Sequence, residues 1–93
     1  MRAITMTEMS MGDVSANVVG GALGVGIFCG DHSECMIDRN VVTGTRPDVA
    51  SGDRARDGYG IVAHYGATAE LADNRAGRVG AFAEGRIEPM PLP

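Results

Sequence analysis

The sequence predicts a small all-β domain whose strands stack copy upon copy as a solenoid, and three observations carry that prediction. The first is an internal repeat, which sets the architecture before any local pattern does. Gly58–Asn74, GYGIVAHYGATAELADN, lies over Gly24–Asn40, GVGIFCGDHSECMIDRN, at an offset of 34, matching Gly24, Gly26, Ile27, Ile37 and Asn40 to Gly58, Gly60, Ile61, Leu71 and Asn74. An offset of 23 carries Asn40, Ile27 and Ile37 back to Asn17, Ile4 and Val14, a weaker third copy. The second observation is alternation: Ile27, Cys29, Cys35, Ile37 and Val42 interleave with Phe28, Gly30, Met36, Asp38 and Val41, the period of strands with one buried face. The third is the asparagine that recurs in every copy.

Each segment can be justified in turn. Residues 1–17 hold the first copy, with Ile4, Met6, Val14 and Asn17, behind a Met-rich start of poor pattern. Val18-Val19 recurs as Val41-Val42, and Gly20-Gly21 turns the chain into the second copy. Helix formers are interrupted by glycine too often for a long helix to persist. Thr45–Asp57, TRPDVASGDRARD, contains the insertion of 11 residues that accounts for the difference between the two offsets, and it reads as a charged surface loop. Gly80-Ala81-Phe82-Ala83 reads as one more strand, and Arg86–Pro93, RIEPMPLP, as a proline-punctuated tail unable to continue a ladder.

Stacking at about 4.8 Å then places like side chains over one another. Ile4/Ile27/Ile61, Val14/Ile37/Leu71 and Val19/Val42/Ala76 are expected as inward columns, and Asn17/Asn40/Asn74 as a ladder of amides at a turn.

Composition bounds the function. Ninety-three residues make one small domain, near the size at which a single core is only marginally sufficient. There is no Trp and there are four Phe and Tyr residues, so the core must be aliphatic. All eight basic residues are Arg, against 12 acidic ones; the net charge of -4 argues against a grip on nucleic acid phosphates or on an anionic membrane. No run approaches the roughly 18 apolar residues of a membrane span. The start, MRAITMTEMSMGDV, lacks the apolar stretch of a signal peptide, so the chain as given is expected in the cytoplasm, or as a piece of a larger secreted protein.

Gly26-Ile27, Ile37, Asn40 and Val42, then Gly60-Ile61, Leu71, Asn74 and Ala76, resemble the GxGIxxx…xIxxNxVxxN repeats of pectate-lyase-like proteins, in their carbohydrate-binding and sugar-hydrolase forms. The resemblance runs from Ile4 to Ala83 and implies a short right-handed parallel β-helix of three to four coils with a period of about 23. Coil one would span about 1–23, coil two 24–57 with the loop 45–57, coil three 58–80, and a partial coil and tail 81–93. Such a stack has two open ends, each a row of unpaired strand edges. Self-association is therefore expected, through those ends or through an outward apolar face carrying Phe28, Val62, Val18 and Val41.

Cys29-x2-His32-x2-Cys35, with His64 nearby, has the spacing of zinc ligands. The repeat argues otherwise, because Cys29 aligns with Met6 and Ala63 and Cys35 with Gly12 and Ala69, all small or apolar inward positions. Both thiols are expected in the core, with no metal and no cofactor. Asp31-His32-Ser33-Glu34 reads as a solvated turn, and His64-Tyr65 as the matching turn one copy on. Asp31, His64 and Tyr65 could then share an outer face, joined by Arg54 and Arg56 of the loop. Similar lyases and epimerases use carboxylates with Arg or His to abstract a sugar proton, so these five residues are the catalytic candidates that the resemblance implies. Gly24-Val25-Gly26 lacks the spacing and the helix of a dinucleotide fingerprint.

The reading preferred is a self-associating module without catalysis, structural or binding a glycan along a flat side. The alternative is a fragment of a polysaccharide lyase or epimerase, and a weaker one a metal or redox module through Cys29, His32 and Cys35.

Overall fold

A computed structural model describes residues 2–7, 11–47 and 58–89. The described chain is all-β, with ten strands: β1 Arg2–Met6, β2 Met11–Ser15, β3 Val18–Gly20, β4 Val25–Cys29, β5 Glu34–Asp38, β6 Val41–Thr43, β7 Tyr59–Ala63, β8 Thr68–Ala72, β9 Val79–Ala81 and β10 Arg86–Pro89. They form three sheets, ordered β1-β4-β7-β9, β10-β8-β5-β2 and β3-β6. Every strand pair is parallel.

The pairing follows the repeat. Ile4 stands opposite Ile27 and Ile27 opposite Ile61; Val14 stands opposite Ile37 and Ile37 opposite Leu71; Val19 stands opposite Val42. Ile27, Ile37 and Ile61 are fully buried and join Val14, Val19, Val42, Ala63 and Ala69 in one core. Burial of each of the Val and Ile side chains favours folding by about 1.5–3 kcal/mol.

Local chemistry sets the corners. Between β4 and β5, between β7 and β8 and between β9 and β10, two successive residues take positive φ: Asp31-His32, Tyr65-Gly66 and Ala83-Glu84. Each turn is closed by the amide of its fourth residue, Ser33 to Gly30, Ala67 to His64 and Gly85 to Phe82. Positive φ at both central residues is type I′ geometry, which usually reverses a hairpin; here it carries the chain from one parallel sheet into another. The next corner uses a single left-handed residue, Ala16, Arg39 or Asp73, each immediately before an asparagine. Glycine is needed at Gly60 for space: a Cβ there would overlap the Ala76 carbonyl where the chain crosses beneath.

Three expectations are corrected. A fourth copy begins at Val79, opposite Ile61, so the expected boundary between 80 and 81 falls inside β9, and Phe82-Ala83 belong to a turn. The segment expected as a non-pairing tail contributes β10, whose Arg86, Ile87, Glu88 and Pro89 stand opposite Thr68, Ala69, Glu70 and Leu71. Proline is admitted because it ends the strand, and that strand is an edge. The outward apolar face is the third: Phe28 and Val62 are buried, in a second cluster with Val25 that Tyr59 and Phe82 join. Val18, by contrast, is 82% exposed.

Candidate functional site

The four aromatic residues and His64 gather at one place, on β4, β7 and the turns that follow β7 and β9. His64 packs its ring against Tyr65 at 3.7 Å between centroids, with Phe28 at 5.7 Å and Phe82 at 6.2 Å. Tyr59 meets Phe82 edge-on at 5.3 Å, and the Arg78 guanidinium lies 4.2 Å over the Tyr59 ring. Edge-to-face rings and a cation over a ring face are the arrangements the ring quadrupole favours. The local sequence explains the convergence: Phe28 and Val62 are register partners, and His64 and Phe82 open successive turns of one stack.

The turn stack brings some of the expected residues together. The His32 amide donates to the Tyr65 carbonyl at 2.9 Å, so the turns of Asp31 and Tyr65 are neighbours. Tyr65 is half exposed, and the imidazole of His32 lies over Gly66, in space that any Cβ at that position would take. His64 is only 8% exposed, with its backbone amide on the Cys29 carbonyl. Its ring belongs to the aromatic cluster rather than to an open face. Arg54 and Arg56 lie outside the described residues. The base of their loop is defined: Gly24 donates to Arg46, Gly58 donates to Gly24, and Pro47 packs against Gly58.

The cysteines correct the sequence reading in part. Both are buried where the alignment places them, but they are joined in a disulfide, with Cα atoms 6.3 Å apart, rather than lying as free thiols. Two inward positions facing each other across one turn lie within the Cα separation a disulfide needs. The bond takes both sulfurs out of any metal set with His32. Among the described residues no group of three His, Cys, Asp or Glu side chains could hold a metal ion.

Two further features escaped the sequence. One is a cavity of about 420 Å³ beyond β8, lined by Ile61, Leu71, Asn74, Arg75, Gly77 and Val79 among others. The other is Asp38, whose carboxylate accepts from the Ser15 hydroxyl and, at 2.7 Å, from Arg39 Nε. The Ser15 hydrogen bond first, then Arg39, hold its pKa below the usual carboxylate value.

No family model, no curated protein and no solved structure matches this chain. Among the described residues no helix is long and apolar enough to cross a membrane.

Proposed function

We propose that the chain is a short right-handed parallel β-helix, similar in design to pectate-lyase-like proteins, working as a self-associating module without catalysis that meets an extended ligand such as a glycan. The observation that carries this reading is the pairing of strands at successive spacings of 23, 34 and 18 residues in two four-stranded parallel sheets, which leaves β1, β2, β9 and β10 as the edges among the described residues. Right-handedness rests on the strong bias of crossovers between parallel strands. Open parallel edges carry unpaired amides and carbonyls that template further strands. A ring-rich corner with half-exposed Tyr65 and Arg78 over Tyr59 suits the faces of sugar rings.

A lyase or epimerase is supported less well, because a general base must reach its proton and His64 is packed among rings. The Cys29–Cys35 disulfide favours an oxidising compartment over the cytoplasm. Sedimentation of the purified chain over a wide concentration range tests the proposal. Mass should rise above the monomer with concentration, and Val18→Glu with Met11→Glu, charges on the exposed first residues of β3 and β2, should reduce the rise. A monomer throughout would overturn self-association.

A further inference from the structure

The asparagines of the repeat show how one copy grips the next. Asn17 turns both its backbone N–H and its Nδ2 onto Oδ1 of Asn40, and Asn40 does the same to Asn74, at 3.0 Å in all four bonds. Each of those oxygens takes two donors. Asn74 receives the pair from Asn40 and gives one Nδ2 hydrogen to the Ile37 carbonyl at 2.8 Å, as Asn40 gives one to Val14. By the same geometry, the Asn74 backbone N–H and its other Nδ2 hydrogen are directed one copy further on.

There the sequence offers no asparagine. The fourth copy follows the third at a spacing of 18, and counted on by that spacing the sequence has Leu92 in the place of Asn74. Among the described residues the fourth copy has strands in two sheets, β9 and β10, while the third sheet reaches the bridge between Val41 and Arg75. The cavity lies at this end of the ladder. Asn74 lines it, Ile61, Leu71 and Val79 give it apolar walls, and Asp73 and Arg75 stand exposed at its rim. Its volume of about 420 Å³ is in the range of ligand sites.

We propose that this cavity binds an extended polypeptide segment bearing an asparagine, whose carboxamide oxygen takes the two Asn74 donors. The molecule itself supplies the template for that ligand: Asn40-Val41-Val42 beside Asn17, where the Asn40 carboxamide oxygen takes both Asn17 donors and Val42 is buried two residues on. The segment sought is therefore Asn-x-Val or its like, running parallel to β6 as an added strand. A second copy of this chain fits worse. Laid on the same end it meets β9 and β10 first, and its Asn17 arrives a full strand spacing too high.

The test uses an acetylated, amidated Asn-Val-Val-Thr peptide and its Leu-Val-Val-Thr counterpart, titrated into the isotopically labelled chain and followed by amide chemical shifts. The asparagine peptide should move the backbone and side-chain amide signals of Asn74 saturably, and the leucine peptide should bind about tenfold more weakly, the loss expected of two ordinary hydrogen bonds. Val79→Trp, which fills the cavity without touching the ladder, should abolish the shifts. The two peptides are compared on the unaltered chain, so the outcome does not depend on a variant folding. Equal binding of the two, shifts remote from Asn74, or binding that appears only after residues 90–93 are removed would overturn the proposal. Self-association measured separately distinguishes its failure from that of the self-associating module.

Discussion

At the scale of single residues the asparagines hold most of the specificity. Asn40 is fully buried and takes part in both links of the ladder, accepting two donors from Asn17 and giving Nδ2 hydrogens to Val14 and Asn74. Asn40→Leu would bury those partners without replacements, at about 1–3 kcal/mol for each unsatisfied group. A loss of at least about 3 kcal/mol is expected in urea unfolding, a large share of a small domain's stability. Asn17→Leu, at the end of the ladder and only half-buried, should cost clearly less; equal costs would mean that the ladder is not what holds the copies together. These residues are legible in the sequence because a polar side chain repeated at a fixed place among apolar columns must find its hydrogen-bond partners in the copies beside it. The disulfide is not, because alignment assigns an environment to each cysteine separately and says nothing of two side chains meeting across a turn. Asp38 offers a second test. Its folded pKa is depressed by Ser15 and Arg39, so its contribution is present above the unfolded carboxylate pKa, near 4, and is lost as pH falls through the folded value. Asp38→Asn should therefore destabilise at neutral pH and flatten the fall in stability below about pH 4, as thermal unfolding across pH would show.

At the scale of elements, register is the most legible property and the ends of the molecule the least. A parallel pair shifted by one residue would turn Ile27 or Ile37 outward, so the apolar columns fix which residues face each other. Nothing comparable constrains the last copy, where Val79-Gly80-Ala81 carries little pattern and prolines suggest that pairing has stopped. β10 pairs nevertheless, since Ile87 packs on the core opposite Ala69. The gathering of Phe28, Tyr59, His64 and Phe82 is equally hidden: period two assigns Phe28 and Val62 to the outer face but does not reveal that this face is covered. The register of β10 also exposes a flaw. Glu88 stands directly opposite Glu70, and like charges so placed are destabilising. Glu88→Lys should therefore raise stability by about 0.2–1 kcal/mol in urea unfolding at low salt, and the gain should shrink in high salt; a loss of stability would show that Arg86, 3.5 Å from Glu88, was the dominant partner.

For the whole molecule the proposed self-association sets edges that would attract against charge that repels. Each molecule carries a net charge of -4, and Asp13, Glu34, Glu70 and Glu88 all stand on the second sheet, so two molecules approaching end to end repel over distances set by the ionic strength. That repulsion reaches about 10 Å at 0.1 M salt and about 3 Å at 1 M. Strand pairing across an open edge acts only at contact, through backbone hydrogen bonds and apolar burial that salt leaves largely intact. Added salt should therefore strengthen self-association, and so should a pH near the isoelectric point of about 4.9. Sedimentation in about 0.02 M and about 0.5 M sodium chloride separates the possibilities at equal protein concentration. A larger mass at high salt is expected if edges pair against a repelling field. Dissociation by salt would instead require an interface of ion pairs, with the arginines of one molecule set against the acidic sheet of another, and the open edges would then have to be satisfied in some other way.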